Sequence, residues 1–457
     1  MSTTVPQQAA SQAAMDSAVR HLASTYAPKG NYIGILMLAS LFVEAWDFYS
    51  IAFVLTFIRE QYNPPVVLLG LSAAGVQAGA LVGAVLGGWL TDKLGRRVMF
   101  IASIALFIVL ALAQAFSTSV EMLLAIRFVL GIPLGADVTT GYTYIMEYLP
   151  TGRREVMGNR WQVMFAAGQV VCSIVVALFL VFGMSHELIW RVVLGLGAVP
   201  ALIILLMRAD LPETAIWLVR QGRFREAKVV SRRMYNDDLA MLPDADMVIR
   251  KPRVTEFLHD LRQDPLRWRA ALYAWISFFC CGGQFSTFGF YIPVVFMMVG
   301  VSSLIGTSLM TGLIWFIAGI AAWVGPAVLP KLGHRGIGIW GFATVIVGLL
   351  LAAFALYTGR TLLLPFAAAI VMWGHIWAVT NPLTIATVVS RAQYRGIVGG
   401  VTYVFNKLTV FMGIFLFPSL FAAIGQANAT VFVLIFPVTA LLAAVFLFRE
   451  VYGFQLD

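Results

Sequence analysis

Long apolar stretches separated by short polar segments run through most of this chain. They extend from Asn31 to Met207 and again from Ala270 to Phe448, and they lack the alternation typical of a β-strand. A helix needs about 20 mainly apolar residues to cross a bilayer, where only helices and closed barrels satisfy their backbone groups. The pattern therefore predicts twelve membrane-spanning helices, at residues 32–58, 68–90, 98–116, 120–147, 158–183, 190–207, 271–299, 304–328, 337–356, 362–390, 397–423 and 428–448.

The longest polar interruption, residues 208–269, separates the first six predicted spans from the last six. We therefore expect an all-α membrane protein with five parts. They are a cytoplasmic N-terminal tail at 1–31, a six-helix bundle at 32–207, a cytoplasmic linker at 208–270, a second six-helix bundle at 271–448 and a cytoplasmic C-terminal tail at 449–457.

The loops that follow the second and the eighth predicted spans resemble each other. Residues 93–97 read Lys-Leu-Gly-Arg-Arg, and residues 331–335 read Lys-Leu-Gly-His-Arg. Internal repeats of this kind are found in transporters, whose substrate sites lie near the middle of the bilayer where the repeated halves meet. The repeat predicts two pseudo-symmetric bundles with a site between them.

Positive charge is concentrated on one side of the predicted membrane. The chain has 31 Lys and Arg against 22 Asp and Glu, a balance that could also indicate nucleic-acid binding. However, 26 of the 31 basic residues fall in tails and loops on a single side. Because this asymmetry follows the positive-inside rule, we expect both termini in the cytoplasm, a multi-pass protein of the inner membrane and no nucleic-acid partner.

The composition contains no catalytic or metal-binding constellation. The three cysteines all lie in predicted spans and the five histidines are scattered. The nucleotide-binding pattern Gly-x-x-x-x-Gly-Lys-Ser/Thr does not occur. We expect a protein that is not an enzyme, that uses no cofactor or metal, and that draws its energy from the proton gradient.

Three motifs suggest a family. Residues 88–97 contain Gly-x-x-x-Asp-Lys-x-Gly-Arg-Arg, residues 147–154 contain Glu-x-x-Pro-x-x-x-Arg, and residues 212–218 read Pro-Glu-Thr-Ala-Ile-Trp-Leu. The first resembles the major facilitator superfamily signature between helices two and three, and the other two resemble its sugar-porter-like branch. The resemblance implies the major facilitator fold and places gating roles on Asp92, Arg96, Arg97, Glu147 and Arg154.

Other segments resemble a different branch of the same superfamily. The run Gly131–Asp137 is similar to helix four of phosphate:proton symporters, and Asn381 and Lys407 lie where those symporters carry an asparagine and a lysine. Val138 departs from their tyrosine, and the seventh span has no acid. These departures favour organic-acid symporters as the nearest resemblance.

Five ionisable residues stand out among those within predicted spans, because a charge at bilayer depth costs several kcal/mol or more and is therefore a functional candidate. They are Glu44, Asp47, Arg127, Asp137 and Lys407. Glu44 and Asp47 are three apart on one helix and are expected to share a face. Two carboxylates so close do not both ionise cheaply, so we expect one of them to hold a proton near neutral pH.

The resemblance to proton-driven sugar porters implies specific roles for Asp47 and Arg127. Asp47 would take the coupling proton and Arg127 would pair with it when it is ionised; the alternative is a static buried ion pair. Glu44 and Asp137 are further proton-coupling candidates. Asp137 could instead be a polar group facing a water-filled cavity.

Lys407 lies about ten residues into its span, too deep to reach the surface easily, so we expect it to meet a substrate anion. The alternative is a carboxylate partner from the first half, Asp137 or Asp47. Gln162 and Gln169 share a helix face and can each donate and accept hydrogen bonds. Further candidates to bind substrate are Asn381, Gln284 and Tyr291.

Glycines recur every four residues on the second span, at positions 75, 79, 83 and 87. Small residues at this spacing let helix backbones approach closely. We predict a helix-packing face there and no ligand site.

These features favour proton-coupled symport of a small, anionic metabolite such as an organic acid, by alternating access. The alternatives are a proton-coupled sugar or polyol porter and a multidrug or metabolite efflux antiporter. The expected partners are the substrate, protons and the lipid bilayer, and the expected oligomeric state is a monomer.

Overall fold

The computed structural model describes residues 5–150, 152–247, 255–290, 292–301 and 303–454. Within these ranges the secondary structure is helical and contains no strand. The first half comprises α1 Val5–Ser24, α2 Gly30–Leu38, α3 Ser40–Tyr62, α4 Val66–Leu94, α5 Arg96–Ala115, α6 Val120–Tyr148, α7 Arg153–Asn159, α8 Trp161–Val181, α9 His186–Leu196 and α10 Ala198–Arg208.

The remaining helices form the linker and the second half. They are α11 Ala215–Arg220, α12 Phe224–Tyr235, α13 Glu256–Arg262, α14 Pro265–Gln284, α15 Ile292–Met298, α16 Leu304–Thr358, α17 Leu364–Val388, α18 Arg395–Ile424, α19 Gln426–Val433 and α20 Ile435–Leu442. Two π-helical turns, Phe285–Gly289 and Ala443–Leu447, extend α14 and α20.

Ten helices among the described residues are long and apolar enough to cross a membrane. One of them, α16, has 55 residues and contains a non-helical residue, Gly333, with φ of 68°. This kink separates the predicted spans at 304–328 and 337–356, and α14 with α15 covers the predicted span at 271–299. Among the described residues, the twelve predicted spans therefore fall on helical segments, several of them on two consecutive helices.

The N-terminal segment is more ordered than the polar tail expected from the sequence. Within α1, the side chains of Met15, Ala18, Val19 and Leu22 are buried. Their spacing forms an apolar stripe along one helix face. This face packs against α11, and Asp16 forms an ion pair with Arg220 at 2.7 Å. The segment therefore docks onto the linker.

The predicted glycine packing face on α4 is confirmed by its contact with α6. A Cβ atom built on Gly79 would lie 1.8 Å from the Phe128 carbonyl oxygen, and one on Gly83 would lie 2.0 Å from the Ile132 carbonyl oxygen. The two backbones therefore touch directly, as glycine ladders allow.

The two halves meet most extensively along two helix pairs. Helix α4 packs against α18, where a Cβ on Gly88 would lie 2.4 Å from the Gly396 carbonyl oxygen. Helix α8 packs against α16, where a Cβ on Gly312 would lie 2.3 Å from Ser173 Oγ. A cavity lies between these two contacts.

Candidate transport site

The cavity at the junction of the halves has a volume of about 40 Å³. It is lined by Glu44, Phe48, Trp161, Gln162, Phe165, Phe285, Trp315, His375, Val379, Tyr403, Asn406, Lys407 and Val410. A space of this size holds only a few water molecules. The structure is therefore a closed form, in which the cavity is too small for a metabolite.

Glu44 and Lys407 join the two halves inside this cavity. Lys407 Nζ lies 2.6 Å from Glu44 Oε1, and the Tyr403 hydroxyl donates to the same oxygen at 2.6 Å. Glu44 is 4% exposed and Lys407 7%. The sequence pointed to a substrate anion, or to Asp137 or Asp47, as the partner of Lys407. The structure instead supplies Glu44, because a buried ammonium without a counter-ion is costly.

Several polar atoms of the residues that line the cavity are left without hydrogen bonds among the described residues. Glu44 Oε2, Gln162 Oε1 and Trp161 Nε1 are buried and have no partner among the described residues. Buried polar groups are paired in the great majority of cases, so each exception needs an explanation. Here the three atoms belong to residues that line one cavity.

Asp47 and Arg127 form a separate cluster inside the N-terminal half. Arg127 Nη2 lies 3.5 Å from Asp47 Oδ2, and Gln114 links them by donating to Asp47 Oδ1 at 3.0 Å and accepting from Arg127 Nη1 at 2.8 Å. Arg127 also donates to the Ser72 carbonyl. Neither ion lines the cavity, but both are fully buried within the protein. Sequence reasoning missed Gln114, an amide in an apolar helix.

Glu44 and Asp47 do not act on each other as the sequence suggested. Glu44 turns toward the second half and Lys407, whereas Asp47 turns toward α5 and α6 and Arg127. Residues three apart are offset by about 60° around a helix of 3.6 residues per turn, which is enough to give them different neighbours. Each carboxylate therefore has its own cation.

Asp137 is paired within the first half and does not face the cavity. Arg208 Nη1 donates to Asp137 Oδ1 at 2.8 Å, and Arg208 Nη2 donates to the carbonyl oxygens of Leu36 and Met37. The sequence placed Arg208 in the linker. The structure makes it the last residue of α10, fully buried because its charge is satisfied by these partners.

The remaining substrate candidates have different surroundings. Gln162 lines the cavity, whereas Gln169 donates to the Ala45 carbonyl at 3.1 Å. Gln284 forms a hydrogen bond at 3.0 Å with His375, which lines the cavity. Tyr291 lies outside the described residues.

A network of charges closes the side of the protein that carries the loop at 93–97, here called the basic face. Arg96 Nη2 lies 3.2 Å from Asp92 Oδ1 and 2.8 Å from Glu147 Oε1, and Thr214 donates to Glu147 Oε2. Asp92 Oδ2 accepts a hydrogen bond from the Ile397 backbone N–H at 3.1 Å. Asp92 therefore joins the end of α4 to the start of α18 in the opposite half.

Arg97 and Arg154 also contact their neighbours on this face. The Arg97 backbone N–H donates to Glu213 Oε2 at 3.1 Å, and the Arg97 guanidinium donates to the Ala209 carbonyl. Burial raises the pKa of Glu213, while nearby Arg96 acts in the opposite direction. Arg154 is buried and makes a long contact of 3.4 Å with the Phe454 carbonyl.

A second connection between the halves lies nearby. His334 Nε2 lies 2.9 Å from Glu155 Oε2 and His334 Nδ1 lies 3.0 Å from Asn381 Oδ1, which also accepts from Asn159 Nδ2 at 2.7 Å. Asn381, a substrate candidate, thus belongs to this connection and does not line the cavity. Sequence reasoning missed His334, although it occupies the place of Arg96 in the repeated loop.

Comparison with known proteins supports the fold and the motifs. The family described as "Sugar (and other) transporter" matches residues 33–456. The chain belongs to this family. This sugar-transporter family member is 28% identical over 295 residues to the inner membrane metabolite transport protein YgcS of Escherichia coli (strain K12), covering 63% of the chain and 64% of YgcS.

Two further relatives carry more specific names. The arabinose-proton symporter of Escherichia coli (strain K12) is 34% identical over 186 residues, which are 41% of this chain and 38% of the symporter. The major myo-inositol transporter IolT of Bacillus subtilis (strain 168) is 25% identical over 394 residues, 81% of this chain and 80% of IolT. The alignment with YgcS spans less than two thirds of that relative.

Solved structures confirm the all-helical major facilitator fold. The proton:xylose symporter XylE bound to 6-bromo-6-deoxy-D-glucose aligns with a TM-score of 0.76 at 19% identity, covering 92% of this chain and 96% of XylE. A partially occluded inward-open form of XylE from E. coli aligns with a TM-score of 0.72 at 17% identity, covering 93% and 99%. This family consists of multi-pass membrane transporters and not of enzymes. The phosphate or organic-acid branch that the sequence suggested is not confirmed.

Proposed function

We propose that this protein is a proton-coupled symporter that carries a small polyhydroxylated metabolite, of the sugar or polyol class, through the cavity between its halves. The observation that carries the proposal is the set of unpaired polar atoms around this cavity, on Glu44, Gln162 and Trp161. The names of relatives, an arabinose-proton symporter and a myo-inositol transporter, favour this class over the organic acid expected from the sequence.

The cavity has the chemistry that a polyol requires. A hydroxyl group both donates and accepts hydrogen bonds. The Trp161 N–H can donate, while Gln162 Oε1 and Glu44 Oε2 can accept. The rings of Phe285 and Trp315 supply apolar walls for the carbon skeleton. Ligand sites typically combine apolar walls with a few placed polar groups in this way.

Proton coupling is assigned to Asp47 in this proposal. Helix α3 carries Asp47 together with two cavity residues, Glu44 and Phe48. Protonation of Asp47 would remove its attraction to Arg127 and loosen α3 from its neighbours in the first half. A loaded and protonated carrier could then change conformation, because ion-pair networks of this kind fix one state of a switch.

The networks on the basic face would act as the gate that closes the cavity on that side. When the carrier opens on that side, the network of Asp92, Arg96 and Glu147 would lose its contact with the second half. The cluster of His334 with Asn381 would lose its contact with the first half. We propose that this side is the cytoplasmic side, that both termini lie there, and that the protein works as a monomer in the inner membrane. The domain boundaries given above remain predictions.

Substrate binding to the purified protein tests the proposal. We would measure the affinity of pentoses, hexoses, inositols and dicarboxylates by titration calorimetry, for the native protein and for Gln162→Ala. Loss of one hydrogen bond to the substrate predicts an affinity about tenfold lower for Gln162→Ala, which corresponds to about 1.4 kcal/mol. The control is Gln426→Ala, an exposed amide outside the cavity. Binding of dicarboxylates without binding of any sugar or polyol would contradict the proposal.

A further inference from the structure

The Glu44–Lys407 pair is not explained by transport of a neutral sugar. Glu44 and Lys407 are the charged side chains among the residues that line the cavity. Replacing a buried ion pair with apolar residues is often neutral or stabilising, so stability alone does not account for one. This pair also crosses between two halves that must move apart. Its position points to a role in recognising the transported species.

One oxygen of Glu44 is held and the other is not. Oε1 accepts from Lys407 Nζ and from the Tyr403 hydroxyl, whereas Oε2 is buried without a partner among the described residues. Lys407 donates one of the three hydrogens of its ammonium group to Glu44. A second anion beside Lys407 would be repelled while Glu44 is ionised. Removal of the Glu44 charge would make Lys407 available to another carboxylate.

We propose that the substrate is a polyhydroxylated carboxylate, a sugar acid, and that its carboxylate replaces Glu44 as the counter-ion of Lys407 when Glu44 takes up a proton. This inference rests on the proposed function and narrows its substrate class. The proton binds a Glu44 oxygen and Lys407 remains an ammonium. The empty pair is neutral, and the loaded site, with protonated Glu44, Lys407 and the substrate anion, is neutral too.

This balance explains why the lysine and the carboxylate occur together. Moving an uncompensated charge through the bilayer interior is expensive. A proton on Glu44 cancels the charge of each substrate anion, so the cavity has the same net charge empty and loaded. The unpaired oxygen of Glu44 offers a place for the proton, from which it can donate to the substrate.

The other titratable groups near Glu44 are compatible with this exchange. Tyr403 of α18 donates to Glu44, whereas Tyr142 of α6 donates to the Gly158 carbonyl. His375 of α17 lines the same cavity. Asp47, one turn along α3, is paired with Arg127 and is therefore a separate site. Lys407 is the cation that the substrate would meet.

Matched ligands that differ only in one carboxylate test the inference. We would measure binding of D-glucuronate and D-glucose, and of D-galacturonate and D-galactose, at about pH 5.5 and about pH 8. Because uronate binding takes up one proton in this proposal, the uronate affinity of the native protein should fall about tenfold or more as the pH rises, while the affinity for neutral sugar changes little. In Glu44→Gln, which mimics the protonated state, uronate binding should persist without this pH dependence.

Lys407→Gln should lower the uronate affinity about tenfold or more relative to its affinity for the matched neutral sugar. Should Lys407→Gln fail to fold because Glu44 is left unpaired, the double variant Glu44→Gln/Lys407→Gln removes both charges and carries the same expectation. Lys407→Arg keeps the cation and should retain uronate binding.

The possible failures are distinguishable. Binding of neutral sugars without uronates, or uronate binding that survives loss of Lys407, overturns the inference and leaves the proposed function standing. Equal binding of succinate, which lacks hydroxyls, also overturns it. If neither sugars nor uronates bind the native protein, the proposed function itself fails.

Discussion

Arg127 and Arg208 are buried inside the N-terminal half, and each is paired with a carboxylate from another helix. Arg127 lies 3.5 Å from Asp47, and Arg208 lies 2.8 Å from Asp137. A guanidinium that leaves water must recover its lost hydration from such partners and from backbone carbonyls. Removing one member of a pair leaves the other charge buried and uncompensated.

The Asp137–Arg208 pair provides a test of this energetic argument. Asp137→Asn should lower the free energy of unfolding by about 3–5 kcal/mol, since Arg208 would keep its charge and lose its counter-ion. Thermal unfolding in detergent measures the effect. The control is Asp210→Asn, which removes an ion pair between the exposed side chains of Asp210 and Arg233 and should change little. Equal unfolding temperatures for the two variants would refute the argument.

The charged residues inside the membrane could be found from sequence, but their partners could not. Charges within apolar spans are rare enough to be conspicuous. Lys407 and Glu44, however, are 363 positions apart, and no local pattern relates them. Arg208 looked like the first residue of a polar linker, because the sequence does not show that the end of α10 lies next to the buried carboxylate of Asp137.

Helices α4 and α6 illustrate what can be predicted for single elements. The four-residue glycine spacing on α4 predicted a close helix contact, and the structure places α6 directly against it. The docked α1 and the bend at Gly333 were harder to foresee. The stripe on α1 is short and lies in a polar segment, and the bend follows from a positive φ at one glycine within 55 helical residues.

Adding one methyl group to the α4 ladder should separate the helices. A Cβ at Gly79 would lie 1.8 Å from a backbone oxygen of Phe128, which cannot move without displacing α6. We expect Gly79→Ala to lower the unfolding free energy by about 1–3 kcal/mol or more, measured by thermal unfolding with size-exclusion chromatography.

Gly70 on the same helix provides the matched control, because a Cβ there meets no atom within 4 Å. Gly70→Ala should leave the unfolding temperature unchanged or slightly raised, since alanine is the better helix former. If both alanine variants behave alike, the close contact between α4 and α6 does not constrain the fold.

The whole molecule is held closed on the basic face by contacts that cross between its halves. Asp92 reaches the start of α18, and His334 with Asn381 reaches α7 through Glu155 and Asn159. A carrier that opens on this side must break these contacts together. Locking them should stop transport without changing the cavity.

A disulfide across this face would provide such a lock. A Cβ on Gly158 would lie 3.0 Å from Thr384 Oγ1, so cysteines at positions 158 and 384 are close enough to be bridged. The double variant Gly158→Cys/Thr384→Cys should lose transport on oxidation and regain it on reduction, measured as uptake into proteoliposomes. Each single variant is a control for the buried native cysteines. Full transport by the oxidised, cross-linked protein would show that these halves need not separate.

At this scale the two-bundle architecture could be predicted, because span lengths, the long polar interruption and the repeated loop all indicate it. The closed state could not be predicted. It depends on packing between distant helices, as where Gly88 meets Gly396. Nor could the sequence predict that the partner of Lys407 in this closed form is a carboxylate of the protein itself.

Accumulation of substrate driven by an imposed pH gradient tests the central claim of proton-coupled transport most directly. In proteoliposomes, the native protein should concentrate a labelled neutral sugar by up to about tenfold per pH unit for each coupled proton, and a protonophore should abolish this. Asp47→Asn should still exchange substrate but not accumulate it, whereas Glu226→Gln, an exposed control, should behave as native. Accumulation that survives the protonophore, or that persists in Asp47→Asn, would contradict the account.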